Sequence, residues 1–194
     1  MTRGFYLTHR SGGIKTRHVK QELSRAPIFR FQEIEQALNF MEQVDEHYDE
    51  IKVAAESTTK HGKLLRIDKI PIHNRVILDF IYHTAEAAGQ NMVTMSTDAA
   101  CRYIVDKLSN GSPYKYYVES NYNADKNPAH RSLIKGRGHH VIASFQIPNR
   151  VLKKLLRVSA DEIVEALVDK HLGSQMAGLL GMNLHVANAL AALY

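Results

Sequence analysis

Hydrophobic and polar positions along the first two thirds of the chain alternate between two periods, and each change of period is marked by turn residues. Ala26-Pro27-Ile28-Phe29-Arg30-Phe31 reads as a short strand with proline near its start. Ile34, Ala37, Leu38, Met41, Val44, Tyr48 and Ile51 then recur at helical spacing, with Glu33, Glu35, Glu42, Glu46 and Asp49 between them. This predicts one amphipathic helix with an acidic solvated face. Leu65, Ile67, Ile70 and Ile72 predict a strand over 64–72, and Val76 to Tyr82, rich in β-branched and aromatic residues, predicts another. His73-Asn74-Arg75 is read as the hairpin turn between them. Helical spacing returns at Ala88, Met92, Met95, Ala99, Ile104 and Leu108, and Asn110-Gly111-Ser112-Pro113 stops it before a strand at 114–118. The order strand, helix, strand, strand, helix, strand predicts a split βαβ, ferredoxin-like unit in an α+β protein.

Beyond that unit, His140 to Ile147 predicts a strand. Ser159-Ala160-Asp161-Glu162 has the spacing of a capping box ahead of a helix that Lys170, His171 and Gly173 are expected to close. Asn183 to Tyr194 is apolar nearly all round, which predicts a helix covered on every side.

The chain has 194 residues, 44% of them hydrophobic, and a net charge of +5 from 25 basic and 20 acidic side chains, which excludes a disordered or collagen-like chain. Its basic residues are dispersed, so the charge does not predict a nucleic-acid surface, and Lys135 to Val141 lacks the aromatics of an RNA-recognition strand. No apolar run reaches the roughly 18 residues of a membrane span. The single cysteine, Cys101, forms no internal disulfide and reads as a small core residue; with no secretory leader pattern, a reducing, cytoplasmic setting is expected. The eleven histidines show no paired zinc spacing, and the adjacent His139 and His140 would point to opposite faces of a strand, so no metal is expected.

Two stretches carry candidate chemistry. Glu86-Ala87-Ala88-Gly89-Gln90-Asn91-Met92 opens a helix with small residues, where backbone N–H groups either approach a phosphate or pack closely on a sheet. Asn121-Tyr122-Asn123-Ala124-Asp125-Lys126-Asn127-Pro128-Ala129 follows a strand and sets a carboxylate beside an ammonium. That pair is either a surface ion pair or a means of stabilising a developing oxyanion.

In order, these stretches resemble hydroxymethylglutaryl-CoA reductases, whose Asp-Ala-Met-Gly-Met-Asn loop and Asn-Tyr-Cys-Thr-Asp-Lys-Lys-Pro-Ala segment they match. Gly136-Arg137-Gly138 follows as the family's Gly-Arg-Gly. Gln175-Met176-Ala177-Gly178 and Asn183-Leu184-His185-Val186-Ala187-Asn188 are similar to its two later motifs. The resemblance implies reduction of hydroxymethylglutaryl-CoA to mevalonate and coenzyme A by two NADPH, with no metal. It implies Lys126 as the catalytic lysine with Asp125 beside it. Arg17, Asn121 and Asn188 are implied as substrate contacts, and Thr59, Lys60, Glu86, Gly89, Gln90 and Asn91 as cofactor contacts. His185 is expected to pack a helix. Glu119 stands where many members have serine, Asn127 where they have a second lysine, and Glu86 and Gln90 replace aspartate and methionine.

The resemblance further implies three segments: residues 1–24 ending one part of a mainly helical substrate-binding domain, residues 25–118 forming an inserted ferredoxin-like NADP-binding domain, and residues 119–194 resuming the first. The family's catalytic glutamate, aspartate and histidine fall outside the chain, so an internal fragment is expected. A homodimer or higher symmetric oligomer with the active site at the subunit interface is implied. The competing expectation is a non-catalytic nucleotide-binding or interaction protein derived from the same fold.

Overall fold

A computed structural model describes residues 2–108, 113, 115–181, 190, 191 and 193. The elements in chain order are α1 (Thr2–Arg10), β1 (Lys15–Arg25), β2 (Ile28–Arg30), α2 (Ile34–Glu46), α3 (Tyr48–Glu56), β3 (Lys63–Ile72), β4 (Arg75–His83), α4 (Gln90–Lys107), β5 (Lys115–Tyr117), α5 (His130–Lys135), β6 (Gly138–Ser144), α6 (Asn149–Leu155) and α7 (Ala160–Met176). The chain divides into two compact units, Lys20–His140 and the pair of segments Met1–Val19 and Val141–Tyr194.

In the Lys20–His140 unit the strands run β5-β2-β4-β3, all antiparallel. The end of β1 and all of β2 lie along one side of β4 in a single register, Leu23 opposite Tyr82 and Arg30 opposite Arg75. Pro27 interrupts this line because it has no N–H to give, although its carbonyl still accepts the Leu78 N–H at 3.0 Å. The β3–β4 hairpin turns on His73 and Asn74, with His73 at φ +53, as the sequence predicts. Asn74 Nδ2 donates to the Phe31 carbonyl at 2.8 Å and so holds the end of the neighbouring strand.

Side chains alternate across β4, and both faces are covered. Val76, Leu78, Phe80 and Tyr82 join the core beneath α2, α3 and α4, where the Phe40 ring lies 5.0 Å from those of both Phe29 and Phe31. Asp79 and Ile81 face the opposite way, toward Arg131 and the residues around it.

Several sequence expectations shift in detail. The single helix expected over 34–51 is two, because His47 leaves helical geometry at φ −107, ψ 22. Its ring nitrogen sits 3.0 Å from the Gln43 carbonyl that its own N–H also uses. The buried face is centred on Phe40, while Ile34 and Leu38 are exposed. In β3 an irregularity between Leu64 and Arg66 turns Leu65 outward and buries Leu64. On α4 the buried face is Val93, Ser96, Thr97, Ala100, Cys101 and Ile104, and Met95 is exposed.

In the other unit, α1 packs on α6, burying Leu7 and Leu152. The Ser159–Glu162 capping box is present at the start of α7. This helix does not close at Gly173; it runs to Met176 and ends in a Schellman turn, with Gly178 at φ +68 and the Leu179 N–H reaching the Ser174 carbonyl at 3.0 Å. The expected stop at Asn110-Gly111-Ser112 and the helix expected over 183–194 lie outside the described residues, except for 190, 191 and 193.

Candidate active site

The segment carrying Lys126 leaves the sheet after β5 and is held by three successive residues of β1 and its continuation. Ser120 gives both its N–H (2.9 Å) and its hydroxyl (2.7 Å) to the Ala26 carbonyl. The buried Asn123 donates to the Ser24 carbonyl at 3.4 Å. Between these two, Arg25 pairs with Glu119 and, at 3.3 Å, with Asp125. Asn121 and Ala124 adopt positive φ, +66 and +54, as the chain folds back. Glu119 organises the bend: one carboxylate oxygen accepts the Asn121 N–H at 2.6 Å and the other accepts from Asn123 Nδ2 at 2.8 Å.

Asp125 is not paired with Lys126. Its carboxylate lies between two guanidiniums, Arg25 and, at 2.8 Å, Arg137 of the Gly136-Arg137-Gly138 stretch. Lys126 itself is exposed and makes no hydrogen bond or ion pair among the described residues, so the ion-pair reading of Asp125-Lys126 is replaced by an ammonium left unengaged.

Beneath this segment Arg131 reaches into the sheet. It pairs with the buried Asp79, donates to Ser24 Oγ at 3.1 Å, and lies 5.0 Å from the centre of the Tyr122 ring. Burial pushes the Asp79 carboxyl above its ordinary value, against the pull of Arg131. Around it Glu22, Arg66, Arg131, Lys135 and Arg137 line a narrow, largely basic cleft.

The stretch expected to bind a cofactor borders the same region. Gly89, at φ +81, caps the start of α4, and a Cβ there would fall 2.7 Å from Thr84 Cβ. Close packing therefore accounts for that glycine. No side chain caps the helix and no acid sits in its first turn, so its leading N–H groups have no side-chain acceptor at the cap. Glu86, Gln90 and Asn91 are exposed, and Gln90 accepts from Arg25 Nη2 at 3.2 Å. Thr59 adjoins this turn through its hydroxyl, 3.1 Å from the Met92 sulfur, with Lys60 exposed beside it. Gln21 fixes the loop before the helix, donating to Thr84 Oγ1 (3.1 Å) and to the Ala85 carbonyl (2.6 Å).

The structure thus brings Thr59, Lys60, Glu86, Gly89, Gln90, Asn91, Asn121, Asp125 and Lys126 into one unit. Arg17 lies exposed on β1 in the other unit, and Asn188 and His185 lie outside the described residues. Arg25, Asp79 and Arg131 are site residues or site supports that motif reading did not single out, and Glu119, noted only as a departure from the family's serine, organises the bend. Asp79 carried a signal: it is a lone acid inside the apolar run Val76 to Tyr82.

A sequence model of hydroxymethylglutaryl-coenzyme A reductase matches residues 1–194, the whole chain. The chain belongs to the hydroxymethylglutaryl-coenzyme A reductase family. Family relatives include the 3-hydroxy-3-methylglutaryl-coenzyme A reductase of Methanothermobacter thermautotrophicus, 33% identical over 100% of this chain and 49% of the relative. That of Haloferax volcanii is 34% identical over 100% of this chain and 48% of its own length. The chain spans about half the length of these curated relatives. Among solved structures, the class II reductase of Streptococcus pneumoniae bound to NADPH matches with a TM-score of 0.59 and 19% identity, over 89% of this chain and 43% of that one, a likeness of fold. Among the described residues, no helix of this reductase family member is long and apolar enough to cross a membrane, and no cluster of three or more His, Cys, Asp or Glu could hold a metal.

Proposed function

We propose that this chain carries the cofactor-binding unit and the catalytic lysine of an NADPH-dependent hydroxymethylglutaryl-CoA reductase. In this reading residues 25–118 are a ferredoxin-like domain set between two segments of the substrate-binding domain, 1–24 and 119–194. The strand order β5-β2-β4-β3 with helices on one face supports it. NADPH, when bound, supplies hydride to the thioester and then to the aldehyde derived from it.

The residues present fit such a cofactor. The uncapped first turn of α4 offers N–H groups and the positive end of a helix to a phosphate, with Gln90 and Asn91 exposed there. Lys60 adds a cation on the neighbouring loop, suited to the extra phosphate that distinguishes NADPH from NADH. Lys126 would neutralise the alkoxide as hydride arrives, a contribution of several kcal/mol in a site closed to water. The observation that carries the proposal is the state of that ammonium. Asp125 is already ion-paired with Arg25 and Arg137, and among the described residues Lys126 is left without a partner, open to a substrate oxygen. Asn121, Arg17 and Asn188 are the proposed substrate contacts. A homodimer or larger symmetric assembly is the proposed active form; the exposed Val164, Leu167, Val168 and Leu172 of α7 support a further covering surface.

Lys126→Ala tests the assignment. In the active enzyme it is expected to abolish hydroxymethylglutaryl-CoA-dependent NADPH oxidation while NADPH binding, followed by nucleotide fluorescence, survives. Turnover retained in the variant refutes the role of Lys126. Saturable NADPH binding with no thioester reduction by the unaltered protein would instead favour a non-catalytic nucleotide-binding protein.

A further inference from the structure

Arg25 occupies a place that neither candidate stretch predicts. Its backbone is fixed in the sheet opposite Phe80, and its side chain is only 11% exposed. From there the guanidinium spans three groups on two parts of the chain: Glu119 and Asp125 of the loop after β5 through Nη1, and the Gln90 side chain at the start of α4 through Nη2 at 3.2 Å. A planar fork can hold three acceptors in fixed directions, whereas a lysine would offer one mobile point charge. Gln90 is the first residue of α4, and Glu119 sets the bend leading to Lys126 through its bonds to Asn121 and Asn123.

We propose that Arg25 is a positioning residue that couples the first turn of α4 to the Lys126-bearing segment. A ligand that draws Gln90 away frees one arm of the guanidinium, and its two acidic partners then share a less constrained cation. The bend at 119–125 relaxes accordingly. Equally, the ordered bend presents Gln90 to the ligand in one orientation. The functional side of this coupling, from cofactor to lysine, rests on the reading given under Proposed function; the mechanical side rests on the bonds alone.

Hydrogen exchange of the whole chain, resolved by mass spectrometry, separates the two. Gln90→Ala changes an exposed side chain far along the sequence from the bend. It is expected to speed exchange of the 120–126 amides by about threefold, the scale of one partly exposed charged hydrogen bond. In an Arg25→Lys background the same change should have no further effect. An unaltered bend in Gln90→Ala, or an equal effect in both backgrounds, overturns the proposal. If Arg25→Lys fails to fold, the remote effect of Gln90→Ala alone decides the question in the same way. Added NADPH should slow exchange at 89–91 and speed it at 120–126 in the unaltered chain, but leave 120–126 unchanged when Arg25 is lysine. NADPH that leaves 89–91 untouched, while the Gln90 effect still depends on Arg25, overturns the cofactor reading and supports the coupling.

Discussion

Arg131→Met is expected to destabilise the Lys20–His140 unit in a way that depends on pH, because it leaves the Asp79 carboxylate in the sheet without its partner. Asp79 is 1% exposed and Arg131 13%, and one Asp79 oxygen has no hydrogen-bond partner even with the arginine present. An orphaned carboxylate either stays charged at great cost or takes up a proton, so proton uptake sets the ceiling on the penalty. From an unfolded value of 3.8, that ceiling is about 4 kcal/mol near pH 7 and about 1.5 kcal/mol near pH 5. The sign follows from proton binding. A carboxyl whose folded value is raised binds protons more tightly in the native state, so stability falls as pH rises through the interval between the two values. Losing Arg131 widens that interval. The lost bond to Ser24 Oγ and the Tyr122 contact add about 1 kcal/mol that does not change with pH. Urea unfolding at the two pH values measures the difference. The penalty should shrink by about 2 kcal/mol on acidification, and Asp79→Asn combined with Arg131→Met should recover much of it at neutral pH. A penalty equal at both pH values, or below about 1 kcal/mol at neutral pH, refutes the reasoning.

Gly89→Ala should cost about 2–3 kcal/mol in thermal unfolding, since it combines φ +81 with a collision against the Thr84 side chain. Glu22, gripped by both arms of Arg66 at 2.9 and 3.1 Å, titrates at about 2 in place of 4.5. Its stabilisation is therefore complete above about pH 4.5 and fades as pH falls through 2; Glu22→Gln should flatten this acid limb in urea titrations, and an unchanged limb would count against the pair. Burial holds the Cys101 thiol well above its usual range, so a thiol reagent should label it only after denaturation, which mass spectrometry reads directly.

The order of strands and helices from β2 to β5 was legible because each element buries one face, and burial of one face writes a period into the chain; α1 and β1 were not legible, and β1 is exposed over its first five residues. The exact face was less legible. Leu65 and Leu64 differ only by an irregularity of backbone pairing, and His47 breaks a helix through a local ring contact that apolar spacing does not encode. At the candidate site the two motif stretches were readable as residues, but their connection was not. Arg25 precedes Gln90 by 65 positions and Glu119 by 94, and only folding brings the three together. The partnership of Asp79 and Arg131 is equally non-local, though an acid in the middle of a buried strand is a hint that some cation must come to meet it.

The attachment of residues 119–131 to Ser24, Arg25 and Ala26 has a consequence for engineering the chain. By conformation this stretch is a loop, the kind of place where inserted residues, affinity tags or new termini are normally accepted. By attachment it is part of the sheet, since its anchors are the Ser24 and Ala26 carbonyls on each side of an arginine that is itself in register with β4. A scan of single-residue insertions should find residues 120–125 as intolerant as β4 itself, and a circular permutation opened there should not yield folded protein.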